Sequence, residues 1–334
     1  MSQFSVVITT YNRLPLLRRA VESALAQTWP CEVVVADNGS DDGTEEYIRS
    51  LGSRVVYYRN PVNLGHSGAV NAGVRVARGE WIKPVDDDDY LAPNCIEEMV
   101  KAIARHPQAV LCSAQAIQVD NNGVEVTRTQ PCGTGEAFYV PQEDIHYGML
   151  LEMVPFGTPI QVAFRKDAFL ASGGWDLGLN VCDDIDSWIK IAKYGDAIFL
   201  NQYLAYRTLW TGGNNQKSSF QERLEVNMQM KQNIYKLVAQ KYRPSLPALE
   251  DINASLKLHW SLVSLRQGQL ATAWEIAYPA IFSLAAWKLF ATAIYSRRIH
   301  RKAEWIRQEC LAPEIVSEMV YLESSVNGSV VTVS

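Results

Sequence analysis

Short apolar runs alternate with helical stripes of apolar residues along the first hundred positions of the chain. Residues 4–9 are mostly apolar and β-branched, which is typical of a strand that is buried on both faces. Apolar residues then recur at helical spacing over residues 14–25, and the same alternation predicts further strands at residues 33–35, 54–58 and 81–85. Because strands that alternate with helices imply right-handed crossovers, the pattern predicts an α/β fold. We expect a mostly parallel sheet flanked by helices.

The pattern changes after about residue 130 and becomes helical beyond residue 218. Residues 109–119 lack charge and extend the predicted sheet, and residues 120–123 have the composition of a hairpin turn. Beyond residue 218, apolar residues recur at three- and four-residue steps. We therefore predict two parts: an α/β domain over residues 1–217 and a helical C-terminal extension over residues 218–334.

An apolar stretch at residues 270–295 belongs to this extension. Glu275, Pro279 and Lys288 interrupt it, which makes it a poor transmembrane span. It is followed by a basic cluster, which consists of Arg297, Arg298, His300, Arg301 and Lys302. Two interpretations stay open: an amphipathic helix on an anionic membrane surface, or a helix packed on the rest of the protein or on a second subunit of a homo-oligomer.

Composition and charge exclude several classes of protein. The formal net charge of −5 gives no long-range attraction for polyphosphate, which argues against a nucleic-acid partner. The six cysteines include no C-x-x-C pair, which disfavours a zinc knuckle or a disulfide framework. The first residues lack the features of a signal peptide, so we expect a cytoplasmic protein, with peripheral contact at the inner face of the plasma membrane if the tail binds lipid.

Three polar clusters, around Thr10, Asp37 and Asp86, follow predicted strands, where sheets of this kind bind ligands. The third cluster is a run of four carboxylates, Asp86 to Asp89. Adjacent like charges repel and raise each other's pKa, and a divalent cation such as Mg²⁺ or Mn²⁺ would compensate them. The alternative is a solvated loop in which one aspartate caps the following helix.

The order of these clusters resembles that of a known family. Four segments are similar to successive motifs of the family 2 glycosyltransferases: Val-Val-Ile-Thr-Thr-Tyr-Asn-Arg (6–13), Val-Val-Ala-Asp-Asn-Gly-Ser-Asp-Asp-Gly-Thr (34–44), Asn-Leu-Gly-His-Ser-Gly-Ala-Val-Asn-Ala-Gly (63–73) and Val-Asp-Asp-Asp-Asp-Tyr-Leu (85–91). The resemblance is closest over about residues 4–105 and weakens towards the helical tail. It implies the GT-A fold, a Rossmann-like fold of nucleotide-diphospho-sugar transferases.

The resemblance also implies a donor site. The residues at nucleotide-binding or donor-binding positions are Thr9, Thr10, Tyr11, Arg13, Asp37, Asn63, Gly68, Ala69, Asp86 and Asp87. Asp37 would hydrogen-bond the base, although an Asx turn before Gly39 is the alternative. In the family's D-x-D signature, Asp88 would bind the metal and Asp86 would face the ribose or a metal-bound water. Asp89 would support the following turn.

Two further segments, residues 173–176 and 183–188, are similar to family motifs on the acceptor side. They resemble the family's Gly-Gly-Phe-Asp and Glu-Asp-x-Asp stretches, which makes Asp184 the expected general base, with Asp183 beside it. The alternative is a helix N-terminus enriched in acids. Trp175 and Trp188 could stack on sugar rings, with core packing as the alternative. Residues 153–159 are expected to line the acceptor side.

The family often has a histidine after a Tyr-Arg pair near the end of the catalytic domain. Here Tyr206 and Arg207 are followed by no histidine up to Lys217, so Arg207 or Lys217 is the candidate for a third contact to metal or diphosphate.

The resemblance implies an inverting hexosyltransferase that moves a sugar from a nucleoside diphosphate sugar, expected to be a UDP-sugar, to a carbohydrate or lipid-linked acceptor. The implied cofactor is Mn²⁺ or Mg²⁺. Two alternatives stay open. One is a nucleotidyltransferase, although the loop after the first strand is not glycine-rich. The other is a non-catalytic member of the fold that binds sugar nucleotide or acts as a scaffold.

Overall fold

The computed structural model describes residues 4–131, 135–154, 156–179, 181–210, 219–278, 280–298 and 308–309. For residues 293–298 and 308–309 the description covers the backbone alone. All structural statements below refer to these ranges.

Strands in the described ranges join into a single sheet. They are β1 (Phe4–Thr10), β2 (Glu32–Asp37), β3 (Val56–Arg59), β4 (Trp81–Asp86), β5 (Tyr90–Leu91), β6 (Ala109–Val119), β7 (Glu125–Arg128), β8 (Ala137–Val140), β9 (Val162–Arg165), β10 (Asp196–Thr208) and β11 (Gln308–Glu309). Their order across the sheet is β11-β8-β10-β6-β9-β4-β1-β2-β3, with β5 paired to β10 and β7 paired to β6.

Parallel pairing joins β3, β2, β1 and β4, and it also joins β6 to β10. Between these groups, β9 runs antiparallel to both β4 and β6. The α/β architecture is confirmed, and the parallel arrangement is found where the sequence alternates most regularly. The whole sheet is mixed because β9 enters it in the opposite direction.

Helices cover the sheet and form the C-terminal part. They are α1 (Leu14–Leu25), α2 (Thr44–Ser50), α3 (Gly65–Val76), α4 (Cys95–Arg105), α5 (Gln142–Leu150), α6 (Lys166–Ala171), α7 (Asp183–Ile191), α8 (Phe220–Leu237), α9 (Leu249–Arg266), α10 (Leu270–Ala277) and α11 (Leu284–Arg298). Short 3₁₀ turns occur at Gly52–Arg54, Pro159–Gln161 and Gln240–Ser245. The first of these turns explains why β3 begins at Val56, two residues after the expected start.

Two apolar cores lie on the two faces of the sheet. Every residue of β1 is buried, and alternate side chains point to opposite faces, so Val7 packs in one core while Val6 and Ile8 pack in the other. Met230 and Ile234 of α8 belong to the same core as Val7. The C-terminal part therefore begins with a helix that packs on α5 and α7 and shares the core on this face of the sheet. Within the described ranges, no helix combines the length and the apolar character needed to cross a bilayer.

Helix α3 approaches the sheet at a glycine. A Cβ atom at Gly73 would lie 2.4 Å from Val7 Cγ1 and 3.0 Å from Ala36 Cβ. This close approach brings the start of α3 towards the end of β4, where the acidic run lies.

Gly73→Ala should destabilise the protein because the added methyl overlaps Val7. In a free helix the same change would stabilise by about 1 kcal/mol. Overpacking of a filled core typically costs about 1–3 kcal/mol, so we expect urea unfolding to show a net loss. Arg75→Ala, at an exposed position of the same helix, is the control and should stay within about 0.5 kcal/mol of the parent. A Gly73→Ala protein as stable as the parent would contradict this packing.

Candidate active site

Polar groups from three neighbouring strands meet at one edge of the sheet. Thr10 at the end of β1 pairs in register with Asp37 at the end of β2, and Thr9 pairs with Asp86 at the end of β4. The three clusters predicted to share the carboxyl edge are therefore next to one another. This edge is where parallel sheets bind their ligands.

Asp86 is linked to the acceptor side through a histidine. Thr9 Oγ1 donates to Asp86 Oδ1 at 3.3 Å, and His66 Nε2 lies 2.8 Å from the same oxygen. The other ring nitrogen, Nδ1, lies 3.2 Å from Asp183 Oδ2 at the start of α7. Burial lowers the pKa of His66, but the two carboxylates outweigh it and hold this pKa well above its usual value. His66 thus bridges the two acidic groups.

Asp87 fixes the loop that follows β1. Thr10 Oγ1 donates to Asp87 Oδ2 at 2.8 Å, and Arg13 Nη1 lies 3.3 Å from Asp87 Oδ1 and 3.1 Å from Asp88 Oδ2. Burial, together with the neighbouring carboxylates, raises the pKa of Asp87 to about 7 against the opposing effects of Thr10 and Arg13. Since both carboxylate oxygens have protein partners, Asp87 positions the residues expected to contact the nucleotide.

Carboxylate oxygens of Asp86, Asp88 and Asp89 converge, each lying within 4.8 Å of the others, and this is the one such group in the described ranges. Burial raises the pKa of Asp88 and, more strongly, that of Asp89, and mutual repulsion adds to both shifts. Three acids that oppose one another's charge make a suitable site for a hard divalent cation, which prefers oxygen ligands. The residues therefore fit the implied metal.

The acidic run is tied to the far side of the sheet by β10. Thr208 N donates to Asp89 Oδ1 at 2.7 Å. Arg19 Nη2 donates to the carbonyl oxygen of Asp88 at 2.6 Å and to Thr208 Oγ1 at 2.9 Å, and its guanidinium lies 4.4 Å from the ring centroid of Tyr90. These bonds fix the backbone that carries the acids without using the carboxylate oxygens of Asp88.

Asp37 is fully buried. Its Oδ1 accepts from Ser40 N at 2.9 Å and its Oδ2 accepts from Tyr57 Oη at 2.6 Å, with Arg59 Nε at 3.6 Å. The bond from Ser40 is the kind of turn contact that was the alternative for this residue. Its role in base binding stays a prediction.

The remaining donor-side residues surround the start of α3. Asn63 Oδ1 accepts from Asn38 Nδ2 at 2.7 Å and from Gly65 N at 2.9 Å, so it holds the residue at which α3 begins. Gly68 and Ala69 are buried in α3, while Tyr11 is exposed on the loop after β1. Tyr11 is therefore the donor-side aromatic ring that a nucleotide can reach.

Asp183 and Asp184 begin helix α7. Asp183 Oδ2 accepts from Ser67 Oγ at 3.0 Å, and Asp184 Oδ1 accepts from Ile185 N at 2.8 Å. Burial and the Asp183 charge raise the pKa of Asp184 to about 6. A carboxylate with this pKa is ionised at neutral pH and is more basic than an ordinary aspartate, which suits a general base.

The two tryptophans expected on the acceptor side have no face available for a sugar. Trp175 is 2% exposed and Trp188 is 0% exposed, so the interpretation of their rings as a stacking surface is wrong and the core alternative holds. Trp175 packs edge-on against the ring of His66. Trp188 Nε1 donates to Gly157 O at 3.1 Å. Both side chains therefore support the site from the core of the protein.

Two buried lysines hold the segment expected to line the acceptor side. Lys231 Nζ donates to the carbonyl oxygens of Met149 and Leu150 at 2.9 Å and also pairs with Glu152, just before the segment. At the other end, Lys83 Nζ donates to Pro159 O at 3.1 Å and to Ile160 O at 2.6 Å. Burial lowers the pKa of Lys83 to about 8.

Several predicted residues lie outside the described ranges: Pro155 within this segment, Lys217, and His300, Arg301 and Lys302 of the basic cluster. Arg207, the other candidate for a diphosphate contact, lies on β10 directly before Thr208.

Comparison with known proteins identifies the family. The model of the family described as "Glycosyl transferase family 2" matches residues 5–171, which is half of the chain. This chain belongs to glycosyl transferase family 2. The range includes β1, the acidic run and the start of the acceptor side. The protein is therefore a glycosyltransferase.

Relatives and solved structures agree with this family. The chain is 27% identical over 203 residues to the amylovoran biosynthesis glycosyltransferase AmsE of Erwinia amylovora, covering 58% of this chain and 71% of the relative. Its structure is similar to S. aureus TarS in complex with UDP-GlcNAc, with a TM-score of 0.58 and 17% identity over 89% of this chain and 91% of that one.

It is also similar to the mannosyltransferase PcManGT from Pyrobaculum calidifontis in complex with GDP-Man and Mn²⁺, with a TM-score of 0.54 and 21% identity, covering 91% of this chain and 83% of that one. At these identities the likeness to both structures establishes the GT-A fold alone.

Sequence reasoning on this family 2 glycosyltransferase missed several residues of the site. His66 and Ser67 lie within a quoted motif, but nothing in the motif indicates that they contact Asp183, which lies 117 and 116 positions away. Arg19 occupies a polar position in the pattern of the first helix, which is typical of a solvent-exposed side chain. Asp89 was assigned to a turn, yet one of its oxygens belongs to the acidic group.

Thr10→Val should destabilise this glycosyltransferase by about 1–3 kcal/mol, because a buried oxygen of Asp87 loses its hydroxyl donor. Thr10→Ser keeps the hydroxyl and serves as the matched control. Urea unfolding in the presence of a chelator measures both variants without stabilisation by a cation. Equal stability of the valine and serine variants would show that the Thr10–Asp87 bond contributes nothing.

Proposed function

We propose that this glycosyltransferase inverts configuration as it transfers a hexosyl group from a UDP-sugar to a carbohydrate or lipid-linked acceptor. The observation that carries the proposal is the His66 ring, which contacts Asp86 of the acidic group and Asp183 beside Asp184. This contact places a group suited to bind a diphosphate through a cation next to a carboxylate suited to act as a base. Residues 1–217 would form the catalytic domain and residues 218–334 the helical extension.

A divalent cation, Mn²⁺ or Mg²⁺, would be held by Asp88 and Asp86, with an oxygen of Asp89 close by. When bound, it would supply Lewis-acid stabilisation of the negative charge that develops on the leaving nucleotide. PcManGT, which has the same fold, has been solved in complex with GDP-Man and Mn²⁺. Arg13 lies at the rim of the acidic group and is positioned to contribute positive charge to it.

Asp184 would supply the second half of the reaction. Its carboxylate takes the proton of the acceptor hydroxyl while that oxygen forms a bond to the anomeric carbon. The bond from this carbon to the diphosphate breaks on the opposite face, and its electron pair leaves with the nucleotide. The raised pKa of Asp184 favours this proton transfer near neutral pH. Asp183 adjusts that pKa through its charge.

UDP is proposed as the leaving nucleotide because TarS, which has the same fold, has been solved in complex with UDP-GlcNAc. Tyr11, Asp37 and the loop after β1 would contact the base and ribose. Because Asp37 is fully buried, contact with a base requires Tyr57 or Arg59 to move aside. AmsE, a relative over more than half of the chain, is named for polysaccharide biosynthesis, which supports a glycan acceptor.

Binding of UDP should depend on Mn²⁺ or Mg²⁺ and should weaken after chelation. Asp88→Asn removes one ligand and should weaken UDP binding in Mn²⁺ by about ten-fold or more, because such ions are held by only one or two carboxylates. Asp41→Asn removes the same charge from an exposed position on the loop after β2 and is the matched control. Calorimetry that gives equal UDP affinity with and without chelator would overturn the metal assignment.

Asp184→Asn should retain UDP binding and lose turnover by about 10²–10⁴, the usual contribution of a general base. A base works only when deprotonated, so the rate of the parent should fall as pH drops through about 6, and the variant should lack this limb. Release of UDP across a panel of UDP-sugars and acceptors measures both effects.

Asp183→Asn is the informative control for this pH profile. Because the Asp183 charge raises the pKa of Asp184, its removal should move the acidic limb to lower pH while leaving the limb in place. If Asp184→Asn turns over normally, the base lies elsewhere. If neither the parent nor any variant turns over while UDP still binds, the non-catalytic alternative gains support.

A further inference from the structure

The segment that contains helices α10 and α11 exposes large apolar side chains to water while it buries alanines. Ala273, Ala280 and Ala286 are buried, and the last two form a small core with Leu258 of α9. Several large side chains point outward instead, and Phe282 is 79% exposed, although Ile276 is buried and Phe290 packs on the small core. Water-soluble helices normally bury Trp, Phe and Leu and leave alanine to the surface. This reversal indicates that another apolar phase covers the outer side.

The outward residues are here called the aromatic face, which consists of Leu270, Trp274, Tyr278, Phe282, Leu284 and Trp287. The first four are spaced four residues apart. The Trp274 and Tyr278 rings have their centroids 5.6 Å apart, and Tyr278 and Phe282 have theirs 6.0 Å apart. An exposed apolar surface of this kind marks a site of contact with a partner or a membrane.

The segment that carries the aromatic face has more basic than acidic residues, although the whole chain has a net charge of −5 and Asp251 of α9 accepts a hydrogen bond from Ser283 Oγ of this segment at 3.3 Å. Between Leu270 and Arg298 the sequence has a single acid, Glu275, and three bases, Lys288, Arg297 and Arg298. The last two end helix α11. An anionic partner therefore matches this region better than it matches the rest of the protein.

We propose that the aromatic face lies on the surface of an anionic lipid bilayer. Tryptophan and tyrosine, which supply half of the face, are enriched where protein meets the interface of a membrane. Basic residues beside such a face add attraction to acidic headgroups. No helix of the described ranges can span a bilayer, so the contact lies along the surface.

A second copy of the chain matches this face less well. A symmetric dimer would bring the same surface of both copies together, so it would double the basic residues at the interface without adding more acids than the single Glu275 of each copy. A bilayer with acidic headgroups instead offers both an apolar phase and the opposite charge.

The test uses the full chain and sedimentation with two kinds of vesicle, phosphatidylcholine alone and phosphatidylcholine mixed with phosphatidylglycerol. We expect binding to the mixed vesicles that weakens with salt. Phe282→Gln and Leu284→Gln should each weaken this binding by about ten-fold or more, because each removes a large buried apolar contact with the bilayer. Lys288→Gln should weaken binding to the mixed vesicles only.

The matched controls are Val124→Gln and Val126→Gln in the hairpin between β6 and β7, which are 61% and 59% exposed and lie far from α10 in the chain. They should bind vesicles like the parent. Circular dichroism and UDP affinity should be unchanged in all these variants, so failure of vesicle binding is distinguishable from failure of the proposed function. No sedimentation with either vesicle, or a dimer in light scattering that Phe282→Gln dissociates, would overturn the proposal.

Discussion

The structure depends on holding four consecutive carboxylates at the end of one strand. Several parts of the chain hold them: β1 and α3 hold Asp86, the end of β1 and the loop after it hold Asp87, α1 holds the Asp88 backbone, and β10 holds Asp89. Like charges this close raise one another's pKa and would otherwise spread apart. The parallel strands, the close approach of α3 and the long strand β10 all serve to bring these partners to one edge.

The same constraint links the donor and acceptor sides. His66 reaches Asp86 with one ring nitrogen and Asp183 with the other, and it can do so because α3 packs against β1 without a side chain at Gly73. Trp175 and Trp188 are buried and support this arrangement from the core. Trp175 packs against His66, and Trp188 Nε1 donates to Gly157 O. The geometry of the candidate site at this edge is therefore set by core packing as much as by the acids themselves.

Sequence reasoning recovered what is local and periodic. The strand at Phe4–Thr10, the helix at Leu14–Leu25 and the acidic turn after Asp86 follow from short patterns, and family motifs place their ends together. Contacts between distant positions were not readable. Nothing in the sequence pairs His66 with Asp183 or Arg19 with Thr208, since such bonds depend on how two elements approach in space. The sequence also did not reveal which tryptophans are buried. The residues around a tryptophan near an acid are the same whether its ring faces a bound sugar or the core.

Lys83 and Lys231 show how the helical extension takes part in the site. A buried ammonium is costly unless its charge is met by several acceptors, and both lysines meet it with backbone carbonyls at the two ends of the acceptor-side segment. Lys83 comes from the strand that ends in Asp86, whereas Lys231 comes from α8, beyond the range of the family match. The segment is thus fixed at one end to the strand that ends in the acidic run and at the other end to a C-terminal helix beyond the family match. If the segment lines the acceptor side as proposed, its position depends both on residues within the family match and on residues beyond it.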